Sequence, residues 1–166
     1  MRSLTLIEPV FFAVANADQP DASEAHARRT EGFDAAMRRG DHAEAARAFT
    51  DIWGGGISYA AKGAAQQRRL AAQMPLIAAT APAIIDDAAN MLDPERLSRV
   101  SMPVLLVEGT ASPPIISAIC QGLEWRLADA TRAIIAGAGH MAPLTHAGAV
   151  GAEILQFLRL HPMTVD

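Results

Sequence analysis

Three short apolar runs stand out against a long alanine- and arginine-rich stretch. They are Ser3-Leu4-Thr5-Leu6-Ile7, Pro103-Val104-Leu105-Leu106-Val107 and Arg132-Ala133-Ile134-Ile135-Ala136. Each is continuous rather than alternating and is bounded by Pro or Gly, the pattern of a strand covered on both faces of a parallel sheet. The spacing predicts a helix over Pro114 to Leu127 between the last two runs and another over Ala147 to Leu160, with Ile154, Leu155 and Leu158 on one face. The order strand, helix, strand, helix makes the chain α/β.

Between the first two runs the chain reads as several short helices. Asp41 followed by Glu44 is a capping start, Gly40 and Gly54 to Gly56 punctuate, and Pro75 and Pro82 break any continuous rod. This segment is too long and too helical for a simple crossover. It predicts a helical cap laid over the sheet edge, residues 18–100, followed by the last strands over 101–166, all within one domain spanning 1–166. A cap of this kind shapes a pocket and excludes water.

A chain of 166 residues, 51% of them apolar, builds one compact core. The net charge of -4, without blocks of like charge, gives no electrostatic footprint for nucleic acid or an anionic membrane. The single Cys120 lies in an apolar stretch, reads as a buried hydrophobe and points to a reducing, cytoplasmic setting. Residues 2–17 imitate a secretory signal ending in Ala15-Asn16-Ala17, but Glu8-Pro9 interrupts the apolar segment. Both are better understood at the end of a strand.

The candidate chemistry centres on Gly137-Ala138-Gly139-His140-Met141, a histidine on a glycine-flexed loop directly after a strand. Active sites of α/β proteins collect at that edge. The near-match Gly56-Ile57-Ser58-Tyr59-Ala60 resembles a nucleophile turn, yet no strand feeds it, so Ser58 is a decoy between two cap helices. Trp53 and Tyr59 pack the cap or line the pocket. His26 and His42 read as polar faces of cap helices, His161 as tail and His146 as the start of the last helix, and no ligand spacing suits a metal. The methionines read as core or pocket fillers and Trp125 as core packing.

The order of these elements, with Pro103-Val104-Leu105-Leu106-Val107-Glu108-Gly109 and Gly137-Ala138-Gly139-His140-Met141 as its most specific blocks, resembles the C-terminal half of an α/β-hydrolase. The resemblance implies a partial hydrolase sheet of three parallel strands with a helical cap insertion. It also implies a base, matched here by His140, an acid that holds its ring, and no cofactor. The commonest position for that acid falls on Ser112, which carries no charge. Some relatives, haloalkane dehalogenases among them, place it after the strand that precedes the cap, and Glu8 matches that position. Glu108 ends the next strand, and Asp86, Asp87 and Asp93 belong to the cap or its exit.

The family's Gly-x-Ser-x-Gly turn would precede the first strand, so the resemblance implies a hydrolase of small apolar acyl substrates present without its nucleophile, Ser or Asp, and inactive alone. Substrate contacts would fall to Met141, Trp53 and Phe12. The alternatives are a dehalogenase-like parent, or a truncated remnant serving as a partner-binding module. A sheet cut at this point implies self-association through its exposed edge.

Overall fold

The computed structural model describes residues 2–162. Its sheet has three parallel strands in the order β1 (Leu4–Ile7), β2 (Val104–Gly109) and β3 (Ala130–Ile135). Leu4 pairs with Val104, and Val104 in turn with Ala130. The architecture is the mixed α/β fold with a helical insertion that the hydropathy pattern predicts.

The register explains which side chains meet which layer. Residues i and i+2 of a strand share a face. Val104 and Leu106 of β2 therefore join a core with Ile115, Ile116, Ile119 and Leu123 of α7 (Pro114–Arg126) and Val14 of α1 (Phe12–Asp18). Leu105 and Val107 face the other way, onto Val150 and Phe157 of α9 (Ala147–Leu160). All six residues of β2 are buried, as a central strand requires, while all four of β1 are half-buried.

The third strand begins at Ala130 and ends at Ile135, not at Arg132 and Ala136 as the apolar run alone predicts. The charge of Arg132 masks the strand in the sequence. In the fold it points to the α7 face and pairs with Glu108, the neighbouring strand's acid, and with Glu124 at 3.4 Å. Glu108 is thus an ion-pair partner turned away from the histidine loop. On α9 the buried face is Val150 and Phe157 with Ile154 beside them, whereas Leu155 and Leu158 are exposed, so the predicted helix stands with its face rotated. Trp125 is 64% exposed and is not core.

The insertion comprises α2 (Pro20–Arg38), α3 (His42–Trp53), a 3-10 turn (Tyr59–Ala61), α4 (Ala64–Ala79), α5 (Ala81–Ile84) and α6 (Pro94–Leu97). Asp41 caps α3 as its spacing predicts, its carboxylate accepting from the Glu44 N–H at 3.0 Å. Pro75, by contrast, lies inside α4 and does not break it. An interior proline forfeits a backbone hydrogen bond. Burial of the adjoining Met74, with Leu70 and Ile77, against Ala36, Ala45 and Ala46 of α2 and α3 holds the helix together across that gap. Among the described residues no helix is long and apolar enough to cross a membrane.

Candidate functional site

Glu8 and His140, separated by 132 residues in sequence, meet at the carboxyl ends of β1 and β3. The Glu8 N–H closes the ladder on Val107 O at 2.8 Å, after which the backbone turns into the left-handed region at φ 51°. The turn carries the side chain back under the sheet edge, where Glu8 is only 4% exposed. A non-glycine residue held at positive φ is strained unless its surroundings over-determine it, and such positions cluster at functional sites.

Those surroundings are three hydrogen bonds. Oε1 accepts from the Gly109 N–H and from the Ser112 hydroxyl, each at 2.7 Å, and Oε2 lies 3.2 Å from His140 Nδ1. Ser112, the uncharged residue in the turn after β2, thus holds the carboxylate that lies on the strand before it. A carboxylate on Nδ1 fixes that nitrogen as the protonated one and leaves Nε2 as the free base.

The histidine loop is held from below by a close approach. Ala138 O accepts from the Ala111 N–H at 2.9 Å, and a Cβ on Gly109 would collide with that carbonyl. Only glycine at 109 lets the loop lie this close to the end of β2. Gly137 makes the turn at φ 74°, with its N–H on Thr110 Oγ1 at 2.8 Å. From above, the Gly54–Gly56 turn of the cap reaches Gly139.

A cavity of about 760 Å³ opens between the cap and the sheet edge, with His140 in its lining. Phe12 and Trp53 also line it, and Trp53 lies edge-on to the His140 ring with centroids 4.7 Å apart. Phe49, Ile77, Ile84, Ile85 and Ile115 make most of the wall apolar. Met141 is 39% exposed and lies outside that lining. Ser58 caps the 3-10 turn, its hydroxyl accepting from the Ala61 N–H at 3.3 Å, and no strand leads into it. Among the described residues no Ser, Thr or Cys side chain bonds to His140.

Two of the cap's acids have structural duties. Asp87 accepts from the Met91 and Leu92 N–H groups, and Asp93 caps α6. Cys120 is fully buried, and burial together with the nearby Glu108 charge pushes its thiol up to about 12, so it is not a nucleophile at neutral pH. Among the described residues no cluster of three or more His, Cys, Asp or Glu could hold a metal ion.

His26 is the residue that sequence reasoning misplaced. It is not on a solvated face: its ring stacks on Phe12 at 5.1 Å and meets Trp53 edge-on at 5.6 Å, within the cavity. The signal for it was the run Ser23, His26, Ala27, Thr30, Phe33, which keeps one helix face but mixes polar with apolar residues.

The chain matches no family model, no curated protein and no solved structure.

Proposed function

We propose that Glu8 and His140 are the orienting acid and general base of an α/β-hydrolase-type hydrolase acting on small, largely apolar acyl compounds. The observation that carries this reading is the buried Glu8 carboxylate on His140 Nδ1 at the mouth of an apolar cavity. In an ester reaction, Nε2 takes the proton of a nucleophile's O–H or S–H as its heteroatom bonds to the acyl carbon. The imidazolium, stabilised by Glu8, then returns that proton to the departing alkoxide as the C–O bond breaks. A water molecule repeats the sequence and releases the acid.

The nucleophile is not supplied by the described residues around His140. A Ser nucleophile gives an esterase; an Asp nucleophile gives dehalogenase-like chemistry on the same base. Among the described residues no hydroxyl or thiol bonds to His140, which favours, as second reading, a non-catalytic module that pairs through its sheet edge.

A small thiol from solution can take the nucleophile's place. At neutral pH, where a free thiol is mostly protonated, acyl transfer from 4-nitrophenyl butyrate to 2-mercaptoethanol is expected to be accelerated by the chain. His140→Ala abolishes the acceleration, and Glu8→Gln lowers it by about tenfold or more, within the usual span of general-base effects. Without the thiol no turnover is expected. Equal rates for all three proteins refute the base role and leave the module reading.

A further inference from the structure

The helix that walls the cavity carries chemistry that core packing does not need. Ser23, His26, Thr30 and Asp34 of α2 follow one another at helical spacing, and all four line the cavity. A helix face turned to a core is ordinarily apolar; this one brings polar residues to a wall that is mostly aromatic and aliphatic. Ser23 Oγ makes no hydrogen bond but has essentially no surface open to the cavity, and Asp34 is exposed. His26 is half-buried, and among the described residues neither of its ring nitrogens makes a hydrogen bond. Thr30 is engaged with its own helix, its hydroxyl donating to Ala27 O at 3.1 Å.

Trp53 connects His26 to the base: its ring meets both the His26 and the His140 rings edge-on, and all three line the cavity. From this placement we infer that His26 determines specificity in this cavity by hydrogen-bonding an uncharged oxygen function, a hydroxyl or carbonyl, on an otherwise apolar ligand. The inference rests on the cavity being the substrate site of the hydrolase reading.

The electrostatics favour a neutral group over an anion. Burial, reinforced by the Arg29 charge, pushes the His26 pKa below 6.5, so at neutral pH the ring offers one donor and one acceptor and no positive charge. Asp34 and Arg38, of opposite sign, lie two and three turns further along the same helix face. An apolar ligand that displaces water from the ring nitrogens of His26 leaves them unmet, whereas a ligand oxygen of the same shape satisfies one of them.

The test is binding, read from the Trp53 indole N–H resonance and assigned with Trp125→Phe. The probes are 2-naphthol, its isostere 2-methylnaphthalene, and 2-naphthoate. Naphthol is expected to bind about tenfold tighter than methylnaphthalene, the effect of roughly one net hydrogen bond, and tighter than naphthoate. His26→Phe, which keeps the stack on Phe12, removes that preference while methylnaphthalene still binds. Thermal unfolding of each variant verifies that it is folded. Three results overturn the inference: a preference that survives in His26→Phe, naphthoate binding tighter than naphthol, or no response to any probe from folded chain. The readout needs no nucleophile and is repeated on His140→Ala. Selection for naphthol without His140-dependent acyl transfer would sink the hydrolase reading alone; acyl transfer without selection would sink this inference alone.

Discussion

Replacing Glu8 by alanine and, separately, by glycine separates what its carboxylate does from what its backbone suffers. Both substitutions delete the acceptor of the buried Gly109 N–H, at about 1–3 kcal/mol. Both also release Ser112 and His140, which are half-exposed and turn to water at roughly 0.5–1 kcal/mol each. Glu8→Ala is therefore expected to cost about 2–5 kcal/mol, a large share of the roughly 5–15 kcal/mol that holds a domain folded. Glycine differs in one respect. At φ 51° a Cβ costs about 1–2 kcal/mol, which glycine relieves, while its freer unfolded chain takes back about 0.4–1 kcal/mol. Glu8→Gly should thus be roughly 0.5–1 kcal/mol more stable than Glu8→Ala. Urea unfolding followed by far-ultraviolet circular dichroism measures both, with a common slope confirming a shared mechanism. If the glycine variant is equal to or less stable than the alanine variant, the left-handed turn at residue 8 is not enforced by the fold, and the strain argument fails.

Two further outcomes are accessible. Leu4 and Glu8 direct their N–H groups to β2, so alternation along the strand points those of Thr5 and Ile7 to the open edge; the chain is expected to self-associate by sedimentation, and Thr5→Pro, which removes an outward donor only, to shift it towards monomer, an unchanged distribution counting against edge pairing. For His26 the folded-state pKa is depressed by burial first and by Arg29 second, so below pH 6.5 the unfolded chain takes up the proton ahead of the folded one. Stability should fall as the pH drops below 6.5, and less steeply in His26→Phe; parallel curves for the two proteins would show that the ring is solvated.

The parts of the fold that were legible in the sequence are those where one physical requirement dominates. Central strands must be apolar on both faces, and β2 reads as such from Val104 to Val107. The carboxylate of Asp41 three residues before Glu44 fixes the start of α3 by itself. Illegible features are those where a partner distant in sequence cancels a local cost. Arg132 looks like a strand boundary until Glu108 and Glu124 neutralise it, and Pro75 looks like a helix stop until Met74 is buried beside it. The strand runs place Glu8 and His140 each at a strand end, but it was the hydrolase resemblance that set the two together; the part of Ser112 in holding the carboxylate was not readable, since a hydroxyl in a turn has many uses. His26 was lost because a histidine among alanines and arginines resembles a solvated face.

Glu8 is mounted at the end of the shortest strand of the sheet. β1 has four residues, half-buried throughout, against six in β3, which leads to His140, and both hydrogen-bond only to β2. Short edge segments open before a core does. Each opening withdraws Glu8 and leaves the His140 ring free to change tautomer, so the fraction of time the pair is assembled equals the fraction of time β1 is docked. Whatever pairs with the outer side of β1 therefore sets that fraction without touching the cavity, and the sheet edge governs the chemistry of a histidine two strands away.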